Sequence, residues 1–260
     1  MMVEGLVRQG ERVDDLQRNG LKMIQDPSAF CFGMDAVLLA DFTQIRPSDR
    51  CVADMGTGTG ILPVLLSQKN SAVGFDAFEW QTNMADMAAR TMRLNGLENR
   101  IRIHAMDMRA AHTVIGYESM DAVVCNPPYG KEGGVLLSKT EGISRARHEV
   151  ECGIAEVVAA CASVLKNLGR LSMVFPAARM LELCDVLRTK RLEPKRIRMV
   201  CAKAERAPYL VLVEAMKNAR PTLTWLPPLI VYHADGSETE ELKRIYHRNE
   251  GSDAAVASFD

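Results

Sequence analysis

From residue 51 onward, short apolar runs alternate with stretches of helical periodicity. CVADMG (51–56) is an apolar run closing on glycine and reads as a buried strand. ILPVLLSQ (61–68) starts an apolar helix after it, and SAVGFD (71–76) reads as a second strand. Between Asn83 and Asn95, Met84, Met87, Ala88, Thr91 and Met92 fall at i, i+3, i+4, i+7 and i+8, one face of a helix that Gly96 ends. IRIHAMD (101–107) and DAVVCN (121–126) are the third and fourth strands, and 149–165 is a long helix. RLSMVF (170–175), a helix over 179–189, a strand over 197–202 and the strand YLVLVEAM (209–216) complete the series. Alternation of this kind implies right-handed crossovers and a mostly parallel α/β sheet, with ligands at the carboxyl ends of its strands. Residues 1–45 read as an extension before the sheet, 46–218 as the main domain, and 219–260 as a tail.

Composition narrows the chemistry. Seven cysteines and five histidines are scattered without C-x-x-C spacing, so the thiols read as small buried hydrophobes and no metal is expected. No apolar stretch is long enough to span a bilayer, and the charged start lacks a secretory signal, so the expectation is a cytoplasmic protein without a membrane. The net charge of −1 hides a basic window between Leu187 and Arg206, which includes Arg196 and Arg198 and reads as a phosphate-contacting surface or a solvated face.

The candidate chemistry sits at strand ends. DMGTGTG places glycines at 56, 58 and 60, and Ile61 where a G-x-G-x-x-G dinucleotide fingerprint needs glycine. A G-x-G-x-G turn lets backbone approach a ligand closely, and the helix start after it favours a carboxylate, as in an adenosyl amino acid. Asp76, 22 residues after Asp54, is expected to take ribose hydroxyls. Asp107 is expected at an adenine amino group, with Ala77 and Met108 against the ring.

Asn126-Pro127-Pro128-Tyr129 then follows the fourth strand. An aromatic amine is a poor nucleophile because its lone pair is delocalised. Acceptors on its hydrogens localise that pair; the Asn126 side-chain oxygen and the Pro127 carbonyl, held by proline stiffness, are suited to this. Tyr129 can stack on a planar substrate. A sulfonium methyl donor leaves as a neutral thioether, so neither metal nor strong base is required.

On these residues the chain resembles the S-adenosylmethionine-dependent methyltransferases of the N-P-P-Y group. FCFGMDAVLLADF (30–42), SRARHE (144–149) and PLIVYHADG (228–236) extend the resemblance to the bacterial tRNA1(Val) adenine-37 N6-methyltransferase family. The resemblance implies a Rossmann-like, seven-stranded class I methyltransferase sheet with an antiparallel last strand and helices on both faces. It implies S-adenosyl-L-methionine as cofactor and tRNA as substrate. Asp54, Gly56, Gly58 and Gly60 would hold the methionine moiety, Asp76 the ribose and Asp107 the adenine. Phe32, Gly33 and Asp35 would cover the cofactor, and Asn126 to Tyr129 would position the amine. Many relatives carry Glu at the ribose position, where this chain has Asp76. Lys131, Arg145, Arg147 and His148, with Arg196 and Arg198, are the expected RNA contacts, and the chain is expected as a monomer or weak homodimer. The alternatives are methylation of a protein glutamine amide, of guanine N2 in rRNA, or an RNA-binding module with an inactive cofactor pocket.

Overall fold

The computed structural model describes residues 5–29, 31–127 and 153–246. Pro128, Tyr129, Lys131, Arg145, Arg147 and His148 lie outside the described residues. The main sheet is built from β3 (Cys51–Met55), β4 (Gly74–Glu79), β5 (Ile101–Ala105), β6 (Met120–Cys125), β7 (Leu165–Pro176), β8 (Leu192–Cys201) and β9 (Pro208–Lys217). Their order across the sheet is β8-β9-β7-β6-β3-β4-β5, and among these seven β9 alone runs in the direction opposite to the other six. The order reverses between β3 and β6, so a crevice opens at their carboxyl ends.

Helices cover both faces. On one side α1 (Met34–Phe42), α2 (Ile61–Ser67) and α3 (Thr82–Leu94) bury Leu38, Leu39, Leu62, Leu66 and Met92 against Val52, Phe75 and Val124. On the other, α4 (His112–Ile115), α5 (Ile154–Val164) and α6 (Met180–Thr189) flank Met55, Phe78, Val123 and Met173. The expected stripe of α3 is buried at all five positions, and Gly96 at φ +65° ends the helix. A single apolar face at period 3.6 turns to the core, here toward β4 and β5 of the sheet and the hairpin strand β2.

Two segments depart from expectation. The extension before the sheet holds a hairpin, β1 (Arg12–Asp15) with β2 (Lys22–Gln25), docked on α3. The Asn95 side chain exchanges hydrogen bonds with the Lys22 backbone, Ile24 N donates to Thr91 Oγ1, and buried Arg90 pairs with Glu11 at 2.6 Å. The stretch after 218, expected as a tail, enters the sheet. β10 (Thr224–Trp225) and β11 (Leu229–Ile230) pair parallel with β8, and Leu229, Val231, Leu242 and Ile245 join the core beneath α7 (Glu240–Ile245).

β4 runs three residues further than its sequence pattern suggested. Met55 pairs with Phe78 across the β3–β4 register, so the strand reaches Glu79 before it ends. That displacement reassigns one part of the site.

Candidate active site

β3 ends at Met55 and the chain turns through Gly56, Gly58 and Gly60, all at positive φ (+85°, +57° and +91°). The three glycines do different work. A Cβ on Gly60 would lie 2.6 Å from Met92 Cε, so this glycine admits α3 against the turn. A Cβ on Gly58 would meet nothing within 4 Å, and one on Gly56 would meet only Met108 Cε at 3.3 Å. Gly56 and Gly58 therefore leave backbone bare toward open space beside Met108. Both Gly56 N and Thr57 N donate to the Phe78 carbonyl, at 3.0 and 2.9 Å, which pins the turn to the end of β4.

Asp54 lies just below this turn and is fully buried. Neither carboxylate oxygen has a hydrogen-bond partner, and nor has the Thr57 hydroxyl. Burial raises the Asp54 carboxyl to about 7; the Thr57 hydroxyl, close by but outside regular hydrogen-bond geometry, opposes the rise in part, and the Glu79 charge adds to it. A buried carboxylate without donors is costly, and in an enzyme it marks a place for a cationic or proton-bearing ligand group.

Glu79, not Asp76, is the carboxylate at the end of β4. Its Oε2 accepts from Gly58 N at 3.0 Å and its Oε1 from Gln81 N at 2.9 Å, so it stands at the rim of the glycine turn. Asp76 lies in mid-strand beside Ala53, where it accepts from Arg102 Nε at 3.1 Å and faces His104 Nε2 at 2.8 Å. Ala77 is likewise interior, between Asp54 and Ile103. The ribose assignment to Asp76 and the ring-contact assignment to Ala77 are thus corrected: the strand end carries Glu79 and Trp80. The apolar run after Asp76 (Ala77 and Phe78) was the signal that the strand continued.

Asp107 follows β5 and caps a short turn over Met108–Ala110, accepting from Arg109 N at 2.8 Å and from the Arg109 guanidinium at 2.6 and 2.9 Å. Met108 reaches back to Gly56, which places this corner against the turn.

Asn126 and buried Pro127 continue β6, the strand across the crevice from β3. The Cys125 thiol donates to the Met55 carbonyl at 3.1 Å and ties the two strand ends together. Asn126 Nδ2 donates to Asp35 Oδ2 at 3.2 Å. Asp35 sits in the first turn of α1, and its Oδ1 accepts from Ala36 N at 2.9 Å. Phe32, just before, is held by Phe32 N donating to the Oε1 of buried Gln25 at 3.1 Å, so the hairpin carries the 31–35 segment to the crevice. Tyr209, the second residue of β9, has its hydroxyl 3.9 Å from Met34 Sδ; burial, then Tyr232 and Asp35, push its phenol up to about 12.

The basic window does not form one surface. β8 has ten residues, about 33 Å of chain at ~3.3 Å each, so the two ends of the window lie at opposite ends of the sheet. Arg196 stacks on Phe42 and pairs with buried Glu214 at 3.2 Å, and Arg198 pairs with Glu241 at 2.7 Å. Both point into the face covered by α1 and α7, which corrects their assignment as RNA contacts. Arg188 is paired with Glu193 at 3.1 Å at the far end of the strand. Lys203 and Arg206, in the turn between β8 and β9, lie at the same end of the sheet as the crevice.

Among the described residues no group of three His, Cys, Asp or Glu side chains could hold a metal ion, and no helix is long and apolar enough to cross a membrane.

Comparison with known proteins agrees with this geometry. A family model for the methyltransferase small domain matches residues 21–191. A tRNA1(Val) (adenine(37)-N6)-methyltransferase of Tolumonas auensis is 29% identical over 218 residues, covering 84% of this chain and 88% of its own. A relative of the same name from Aliivibrio fischeri (strain MJ11) is 26% identical, covering 84% and 90%. Among solved structures, a predicted O-methyltransferase from Agrobacterium tumefaciens superposes with a TM-score of 0.65 at 20% identity, covering 82% of this chain and 96% of its own. A P. horikoshii TYW2 structure in complex with MeSAdo superposes at 0.55 and 16% identity, covering 82% and 73%. With the family model spanning most of the chain and the glycine turn, the buried acid and the Asn-Pro strand end all inside it, the protein belongs to the methyltransferase small domain family.

Proposed function

We propose that this protein transfers a methyl group from S-adenosyl-L-methionine to the exocyclic N6 amine of an adenine in tRNA, with adenine 37 of tRNA1(Val) as the target. The observation that carries the reading is the juxtaposition across the β3–β6 switch: a bare-backbone glycine turn over an unpartnered buried carboxylate on one side, and Asn126-Pro127 on the other. The relatives named above carry this activity in their names and match over most of both chains.

The residues present fit the cofactor. Asp54 and Thr57 offer buried acceptors for its amino group, directly or through water; Gly56 and Gly58 admit its chain; Glu79 takes the ribose diol; Met108, Trp80 and Asp107 border the base. When bound, the cofactor supplies an electrophilic methyl on a sulfonium. The protein's own task is to hold the amine in line with it. Asn126 Oδ1 and the Pro127 carbonyl accept the two N6 hydrogens and keep the nitrogen lone pair out of the ring. Tyr129, two residues on in sequence, stacks on the base, and the unstacked anticodon loop avoids much of the cost of extrusion. Phosphate contacts at this end of the sheet fall to Lys203 and Arg206; Lys131, Arg145, Arg147 and His148, the other expected RNA contacts, lie outside the described residues.

The test incubates the protein with methyl-labelled cofactor and total tRNA, then digests and identifies the nucleoside. N6-methyladenosine at position 37, lost in Asn126→Ala with cofactor affinity kept, is the expected result. Label in protein glutamine or in N2-methylguanosine would replace this reading by one of the alternatives.

A further inference from the structure

A side-chain amide has two ends of nearly equal size and opposite hydrogen-bonding sense. An acceptor for a target amine must present its oxygen; turned over, Asn126 would oppose an N–H donor with another donor. Nothing in an Asn-Pro strand end chooses between the two. The structure supplies a choice from 91 positions away: the Asp35 carboxylate lies 3.2 Å from Asn126 Nδ2. A carboxylate only accepts, so the amide nitrogen must face it, and the amide oxygen is directed to the other side.

The carboxylate is itself held in place. Asp35 Oδ1 accepts from Ala36 N at 2.9 Å at the start of α1, leaving Oδ2 for Asn126. Gly33, two residues earlier, has an ordinary backbone conformation at φ −101°, so no strain calls for glycine there. The need is spatial: a Cβ on Gly33 would lie 2.8 Å from Asp35 Oδ1. Gly33, Asp35 and Asn126 form one chain of constraint from the α1 start to the end of β6.

We propose that Asp35 is a positioning residue for methyl transfer, orienting the Asn126 amide so that its oxygen faces the acceptor amine, and that position 33 is glycine to make room for that carboxylate. This rests on the reading of Asn126 as the amine acceptor. As the methyl arrives, the amine nitrogen gains positive charge. A carboxylate one hydrogen bond behind the accepting oxygen polarises the amide in the sense that stabilises this charge. Asp35 therefore acts on the rate of transfer more than on cofactor binding.

The experiment uses the whole chain, single-turnover methylation of a tRNA1(Val) transcript, calorimetric cofactor Kd and thermal midpoints. Asp35→Asn is expected to lower the transfer rate about 10- to 100-fold, as for a misplaced reacting group, with cofactor Kd changed less than threefold. Asn126→Asp, which puts two carboxylates side by side, is expected to be slow as well. The double exchange Asp35→Asn/Asn126→Asp swaps the two groups, so that an amide on α1 donates to a carboxylate at the end of β6. It is expected to return to within tenfold of wild type, a recovery that a role in folding alone would not produce in the rate. Gly33→Ala, with Asp35 intact but displaced, is expected to share the Asp35→Asn defect. A wild-type rate in Asp35→Asn, or a double exchange no faster than the slower single variant, would overturn the proposal. Loss of activity in Asn126→Ala beside a fully active Asp35→Asn would overturn it alone; a fully active Asn126→Ala would overturn the amine-acceptor reading with it.

Discussion

Replacing Glu79 by Gln tests the reassigned ribose carboxylate most directly. Backbone N–H groups donate to both Glu79 oxygens, Gly58 N to Oε2 at 3.0 Å and Gln81 N to Oε1 at 2.9 Å. A carboxylate oxygen has two acceptor sites, so a ribose hydroxyl can join a backbone donor on the same oxygen. In the Gln variant one oxygen becomes an NH2 and must face a backbone donor or the ribose, so one contact turns unfavourable whichever way the amide lies. Hydrogen bonds to a charged group contribute about 1.5–3 kcal/mol each. Loss of the charge and of one acceptor is therefore expected to weaken cofactor binding by about 3 kcal/mol, roughly a hundredfold in Kd. Asp76→Asn should change Kd by less than about twofold, since its partners Arg102 and His104 lie on β5 away from the turn; because Arg102 is largely exposed, the stability cost is about 1 kcal/mol or less. Calorimetry with S-adenosylhomocysteine and its 2′,3′-dideoxy analogue separates ribose contact from a loosened glycine turn. Wild type should discriminate strongly between the two, and Glu79→Gln weakly. If Asp76→Asn lost the affinity and Glu79→Gln kept it, the register-based reassignment would be wrong.

Further outcomes follow from the same geometry. The Asp54 carboxyl, raised to about 7 from an ordinary 3.8, holds a proton in the folded state that the unfolded chain has lost between those values. Stability of the cofactor-free protein should therefore fall as pH rises from about 4 to 7 and level off above, and Asp54→Asn should flatten the profile in thermal melts. Cofactor binding at pH 6 should release close to one proton, read from calorimetry in buffers of different ionisation heat, and Asp54→Asn should abolish that release. Gly60→Ala meets Met92 at 2.6 Å and φ +91°, and should lower stability by about 2 kcal/mol in denaturant melts, whereas Gly58→Ala should cost about 1 kcal/mol of stability and chiefly weaken cofactor binding. Arg196→Ala should leave RNA affinity and its salt slope unchanged while lowering stability by about 2 kcal/mol, because buried Glu214 loses its partner.

The features legible in the sequence are those fixed by neighbouring residues. Strand and helix alternation follows from side-chain period, the bare turn from glycines that tolerate positive φ, and the stop after β6 from prolines that cannot donate. Those properties travel with the residues, so the α/β class, the crevice at the strand ends and the Asn126 position could be read before any coordinates. The N-terminal hairpin was not legible, because its four-residue strands gain their stability from Arg90, Thr91 and Asn95 on α3.

Three decisions belonged to the tertiary structure alone. Which carboxylate ends β4 depends on where β3 stops supplying partners, and the Met55–Phe78 pairing extends the strand past Asp76 to Glu79. Whether an arginine on β8 meets solvent depends on what lies over it; Phe42, Glu214 and Glu241 come from distant segments and occupy Arg196 and Arg198. Asp35 and Asn126 meet only because α1, packed on β7 and β9, brings its first turn to the end of β6. Periodicity and backbone chemistry act over a few residues and can be read along the chain. Charge pairing and strand length are set by whichever groups the fold brings within a few ångströms, and that is a property of the assembled sheet.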